Sequence, residues 1–305
     1  MLIIKDLEKS YGSFKALNGL NLEIKQGQLY GFVGPNGAGK TTTMKIISGL
    51  LTADRGQIIL DGIDILDNPK YLKQSIGYMP DFFGVYDNLK VIEYMEFFAS
   101  TYDLNRKSSA KTIESLLHLV GLIEKKNDYV DGLSRGMKQK LCLARTLIHK
   151  PKLLILDEPA SGMEPRARME MQDILKKLAV EGTTIIISSH VLPELAEMCT
   201  NIGIIDKGKM VISGSMEEVM TMQYKATPIL MKLTQGIDVA MKMLKTNPLV
   251  TNIAIRDSNI SFGFNGNAEK ESEVLADLIM SGARVSEFRR QESNLETIFL
   301  QLTEE

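Results

Sequence analysis

The chain has 305 residues and a formal net charge of −2, so it is long enough for one large domain plus an appendage and carries no basic field of the kind that general nucleic-acid binding requires. Its two cysteines, Cys142 and Cys199, stand alone without C-x-x-C spacing, which suggests a reducing compartment and no metal site. The start of the chain lacks the basic and long apolar regions of a signal peptide, and no run approaches the roughly 18 consecutive apolar residues of a membrane span. A cytoplasmic protein is expected, one that needs another chain to span a membrane if it works at one.

From residue 1 to 30 the apolar residues alternate as in strands: Leu2–Lys5, Phe14–Leu17 and Leu20–Ile24, with turns expected at Tyr11-Gly12 and Asn18-Gly19. Tyr11, just before a glycine turn, is a candidate platform for a nucleotide base or an ordinary strand-end tyrosine. Next comes Gly34-Pro35-Asn36-Gly37-Ala38-Gly39-Lys40-Thr41-Thr42, which matches G-x-x-x-x-G-K-[ST]. The strand-like Gln28–Val33 precedes it and the helix-like Thr43–Ser48 follows, the context that a phosphate-binding loop requires. Gly34, Gly37 and Gly39 are expected at positive φ, letting backbone N–H groups and the helix start converge on phosphates. Lys40 supplies a point charge to the β- and γ-phosphates, and the Thr41 hydroxyl suits Mg²⁺, a hard ion that prefers oxygen.

Gly56–Gly62 reads as a strand closed by Asp61-Gly62, and Ile76–Asp81 as a buried strand ending at Pro80. From Val91 to Val120 the apolar residues recur at helical spacing, giving two helices outside the parallel alternation, an insertion over about 82–150. His118 lies on the second helix, and His149 in a Lys-Pro-flanked loop is expected to be solvated. Gly132–Lys140 leads into the helical run Leu141–Ile148. Ser134 suits an N-cap, and the N–H groups around Gly136 form a second anion-attracting helix start.

Leu153-Leu-Ile-Leu-Asp157-Glu158-Pro159 puts two carboxylates at the carboxyl end of a strand apolar on both faces, an expensive location unless they face a metal or a polar cleft. Asp157 fits a role in holding Mg²⁺, and Glu158 a role in polarising an attacking water. A helix over Arg166–Val180 and a buried strand Thr183–Ser188 follow, with His190 at the strand's carboxyl end, where ligand-facing groups collect. Ile202–Asp206 and Lys209–Ile212 read as a hairpin. Beyond Met216 the chain turns methionine-rich, and a boundary is expected over Thr221–Pro228. The tail spells β-α-β-β-α-β with a last helix over Leu295–Leu302, and Met216, Met220, Met222, Met231, Met241 and Met243 read chiefly as flexible core filler, with an adaptable binding face as the alternative.

In this order the phosphate loop, Leu133-Ser-Arg-Gly-Met137, Leu153–Pro159, Ser161-Gly-Met-Glu-Pro165 and His190 resemble the ATP-binding subunit of an ABC transporter over residues 1 to 220. The tail resembles the appended domain of ATPases that serve multidrug or peptide-antibiotic exporters. The resemblance implies an α/β P-loop NTPase fold in domain 1–220, with a mostly parallel core sheet, an N-terminal antiparallel β subdomain and the helical insertion, followed by a small ferredoxin-like α+β domain over 221–305. It further implies ATP and Mg²⁺ as ligands, a separate transmembrane permease as partner, and a head-to-tail dimer that sandwiches each nucleotide. In that assignment Glu158 is the general base, His190 and Lys40 act on the γ-phosphate, Ser134 and Gly136 reach the partner's ATP, Tyr11 stacks on adenine, and Thr41, Asp157 and Asp81 serve the metal. Helical residues around Phe82 to Glu93 would meet the permease on the cytoplasmic face of the membrane. Asp81 stands where the family usually has glutamine, Arg135 and Met137 replace the usual glycine and glutamine, and Glu164 replaces the usual aspartate. A soluble ABC-type ATPase of translation or DNA maintenance and a regulatory ATP-binding module without turnover are the alternatives.

Overall fold

The computed structural model describes residues 1–82, 84, 86, 88–102, 106–220, 228–256, 259–290 and 295–303. The expected boundary over Thr221–Pro228 and Met222 fall outside the described residues, wholly or in part. The chain divides into two compact units, Met1–Met216 and Glu217–Glu304.

In the first unit, β1 (Leu2–Tyr11), β2 (Phe14–Ile24), β4 (Arg55–Leu60) and β5 (Ile63–Asp64) form an antiparallel sheet in the order β2-β1-β4-β5. The expected Asn18-Gly19 turn does not exist: β2 runs through it. Leu7 pairs with Leu20 and Glu8 with Asn18, so Gly19, at φ 74°, is the extra residue of a bulge. Glycine marks turns and bulges alike, and the strand opposite decides between them.

The central sheet has six strands in the order β10-β9-β3-β8-β7-β6. Its members are β3 (Leu29–Val33), β6 (Ile76–Met79), β7 (Leu153–Asp157), β8 (Thr184–Ser188), β9 (Asn201–Asp206) and β10 (Lys209–Ser215). All pairs are parallel except β9 with β10. Every residue of β3, β7 and β8 is buried, as expected for strands covered on both faces. The antiparallel sheet shares this core: Leu2, Ile4 and Leu22 cluster with Phe32 of β3 and with Met44 and Ile47 of α1 (Lys40–Ile47).

Around the sheet lie α2 (Pro69–Ser75), α3 (Val91–Ser100), α4 (Arg106–Leu119), α5 (Arg135–Thr146), α6 (Pro165–Val180) and α7 (Leu192–Met198). The two short helices α2 and α7 were not expected; each has a proline in its first turn, where a missing N–H costs nothing. His149 also departs from expectation. Its ring stacks on Tyr102 with centroids 4.2 Å apart, and its Nε2 lies 3.0 Å from the Ile76 carbonyl. Burial holds it below the ordinary histidine value, so it is a packed neutral imidazole and not a solvated one.

The second unit has β11 (Ile229–Gln235), α8 (Ile237–Thr246), β12 (Val250–Arg256), β13 (Asn259–Phe264), α9 (Ala268–Met280), β14 (Arg284–Arg290) and α10 (Leu295–Thr303). Its strand order β12-β13-β11-β14 is antiparallel throughout, the arrangement of a ferredoxin-like domain. Ile229, Met231, Phe262, Phe264, Leu244 and Leu278 form a core of its own. Met231 is fully enclosed there, with Met241 and Met243 packed at its margin, so these methionines act as filler.

Candidate active site

The topology brings the carboxyl ends of three adjacent strands to one edge. β3 delivers the phosphate loop, β7 delivers Asp157-Glu158, and β8, between them, delivers Ser188 to His190; Asp157 lies opposite Ser188 in the β7–β8 register. This is the edge at which parallel α/β sheets bind ligands.

The loop turns into α1 at Gly39, φ 111°, a conformation that side chains rarely tolerate. Gly34 corrects the sequence expectation, because it is absent from the positive-φ glycines. Its need is spatial: a Cβ there would sit 2.3 Å from the Ile205 carbonyl oxygen. Lys40 Nζ donates to the Gly34 carbonyl at 2.5 Å and to that of Pro35 at 3.1 Å. Burial lowers the Lys40 value, opposed by the carboxylates of Glu158 and Asp157 across the cleft.

Glu158 has φ 52°, in the left-handed region. Its N–H donates to both the carbonyl and the hydroxyl of Ser188, each at 3.2 Å, and its Oε2 lies 2.8 Å from His190 Nδ1. His190 is largely exposed and Glu158 largely enclosed. A carboxylate held by a histidine, next to a second carboxylate and across from a lysine, is suited to accept a proton from water beside a polyphosphate.

These groups line one cleft of about 850 Å³. It contains Tyr11, Asn36, Gly37, Gly39, Lys40, Thr41, Thr42, Asp81, Asp157, Glu158 and His190, all expected from sequence. Pro35 and Ala38 contribute backbone to the loop, which closes through the Ala38 N–H to the Pro35 carbonyl at 3.1 Å. Phe14, Lys45 and Tyr78 also line the cleft and were missed; Ser161, quoted only within the resemblance, lines it too, as does Phe82, which was expected on a helix toward the permease but precedes α3. Phe14 could have been suspected, because it pairs with Tyr11 across the Gly12-Ser13 turn.

Tyr78 carries the most information among the missed residues. Its hydroxyl is buried without a hydrogen-bond partner among the described residues. Burial first, then the charges of Asp157 and Asp81, push it up to about 12, so it remains a neutral donor. An orphaned donor beside two carboxylates is what a site for phosphate oxygens and a hydrated cation offers. The chain alone gathers no set of three or more acidic, histidine or cysteine ligands among the described residues. The oxygen donors of Thr41 and Asp157, with Asp81 in the same cleft, therefore fit Mg²⁺ bound jointly with substrate phosphates.

Ser134 and Gly136 do not line this cleft. Ser134 caps α5, its Oγ accepting the Met137 N–H at 3.3 Å, and remains exposed with Arg135. Gln139 donates to the Ser161 carbonyl at 2.8 Å, and the Arg135 guanidinium crowds Gly162 so closely that a Cβ there would lie 2.5 Å from it. The start of α5 is thus fixed to the segment that follows Glu158.

The family model described as ABC transporter matches residues 17–161. The linearmycin resistance ATP-binding protein LnrL of Bacillus subtilis is 31% identical over 306 residues, 99% of this chain and 98% of that protein. The bacitracin transport ATP-binding protein BcrA of Bacillus licheniformis is 41% identical over 206 residues, 67% of this chain and 66% of that protein. A solved dimeric ATP-binding cassette in a post-hydrolysis state, bound to ADP and Pi, has a TM-score of 0.64 at 24% identity and covers 71% of this chain and 99% of that one, a likeness of fold. Matched from end to end by such a relative, the chain belongs to the ATP-binding proteins of ABC transporters.

Proposed function

We propose that the chain is the ATP-hydrolysing motor of an exporter, attached on the cytoplasmic face of the membrane to a separate membrane-spanning subunit and working as a nucleotide-sandwich dimer. The contact of Glu158 with His190, across the cleft from Lys40, carries the reading. The names of LnrL and BcrA, resistance and transport ATP-binding proteins, favour export. No helix of the described residues is long and apolar enough to cross a membrane, and in this reading another chain supplies the path.

The loop N–H groups and the start of α1 take the β- and γ-phosphates, with Lys40 as the point charge. Thr41 and Asp157 hold Mg²⁺, which when bound neutralises charge developing on the phosphoryl oxygens. Glu158 removes the proton of the attacking water, and His190 orients it and meets the γ-phosphate. Tyr11 offers its face to adenine. One helix start cannot neutralise a triphosphate, and the turn of exposed Ser134 and half-buried Gly136 provides a second set of donors for the nucleotide of a neighbouring copy. A cassette of the same fold, dimeric and bound to ADP and Pi, favours a nucleotide-bound dimer.

The reading is tested by phosphate release from Mg²⁺ and ATP by the purified protein and by Lys40→Ala. The wild type turns over and the variant does not. Equal rates, or none from the wild type with or without its co-expressed membrane subunit, would remove it.

A further inference from the structure

The Ser188 hydroxyl joins the two residues that carry the acidic chemistry. Ser188 is fully buried, and its Oγ donates to Asp157 Oδ1 at 2.6 Å while accepting the Glu158 N–H at 3.2 Å. The first distance falls in the range of about 2.5–2.7 Å typical of charge-assisted O–H···O⁻ bonds. Because the Glu158 N–H also reaches the Ser188 carbonyl, only the bond to Asp157 depends wholly on the hydroxyl. That bond engages one carboxylate oxygen and leaves Oδ2 as the one available to the cleft. The backbone register, Asp157 opposite Ser188, holds donor and acceptor together.

We propose that Ser188 is a positioning residue for the divalent cation: its hydroxyl sets the rotation of the Asp157 carboxylate. This rests on the reading of Asp157 as a cation-holding group. Outer partners that orient a ligating group commonly govern metal affinity, whereas a serine that only fills space between strands would affect stability without regard to the metal.

The test uses the full-length protein, with binding of mant-ATP measured in a MgCl₂ titration and in EDTA, and phosphate release measured against Mg²⁺ concentration. Ser188→Ala is expected to raise the Mg²⁺ concentration for half-maximal release by about 10-fold and to leave mant-ATP affinity in EDTA within about 2-fold of wild type, an outer-partner effect on metal affinity. Ser188→Thr, which keeps the hydroxyl, restores the wild-type Mg²⁺ curve. Superimposable Mg²⁺ curves for the alanine variant and the wild type, or equal weakening with and without the cation, would overturn the proposal. If the alanine variant does not fold, Ser188→Cys, which keeps the volume but donates weakly, decides on the same criteria. A wild type indifferent to Mg²⁺ in both measurements overturns the reading of Asp157 as well. A metal-dependent wild type matched by its variant overturns only the role of Ser188.

Discussion

His190 Nδ1 and Glu158 Oε2 meet at 2.8 Å although 32 residues separate them in the chain. An ionised carboxylate only accepts, so the imidazole donates and occupies one oxygen of Glu158, leaving the other for a water proton. Glu158→Gln keeps the shape and removes the base. ATP binding is expected to persist while phosphate release falls by about 10²-fold or more, the range for a general base. Size-exclusion chromatography in ATP should show a lasting dimer, and wild-type turnover would remove the assignment.

Asp81 faces the same cleft as Asp157, and both charges bear on Tyr78. A carboxylate there suits an outer partner of Mg²⁺ and would repel a bare γ-phosphate. Asp81→Asn is expected to weaken apparent Mg²⁺ affinity during hydrolysis with metal-free nucleotide binding nearly unchanged. Superimposed Mg²⁺ titrations would exclude it from the site.

His149 makes stability depend on pH. With Nε2 engaged by the Ile76 carbonyl, a second proton must go on Nδ1, which is buried without a partner among the described residues. The folded-state value is depressed by burial, so the unfolded chain takes up the proton first. The stabilisation is complete above the unfolded value of about 6.5 and is lost as pH falls from there through the folded value. Thermal melts at pH 7 and pH 5 should show a larger drop for the wild type than for His149→Gln, and parallel drops would refute it.

The second unit has its own core and strand set. A chain shortened to residues 1–220 is expected to bind ATP as the full chain does, with dimerisation or coupling to the membrane partner altered. Loss of nucleotide binding in a shortened chain with a cooperative melt would show that the tail serves the site.

The phosphate loop, Asp157, Glu158 and His190 were legible because each follows a run of apolar residues, and a strand buried on both faces leaves a charged end few purposes. The antiparallel second unit was legible from its alternation. Ser188 and Tyr78 were not, since their meaning lies in partners brought by strand order: Ser188 is ordinary until β8 lies beside β7. His149 was misread because Tyr102 and Ile76, which bury it, are remote in sequence. Gly19 and Gly34 were misassigned for a related reason. Glycine announces that a side chain is unwelcome, and only the fold tells whether torsion or space forbids it.

With Glu158 as the proposed general base, its left-handed backbone sets catalysis against stability at a single position. A non-glycine residue at φ 52° bears a conformational penalty of about 1–2 kcal/mol, here offset by the Ser188 contacts to its N–H. Glu158→Gly should therefore melt at a higher temperature than the wild type while losing hydrolysis. Selection for sturdiness alone would drift toward an inert, well-folded ATP trap. A glutamate held in so unfavourable a conformation is what the proposed role of general base would call for, at the expense of folding.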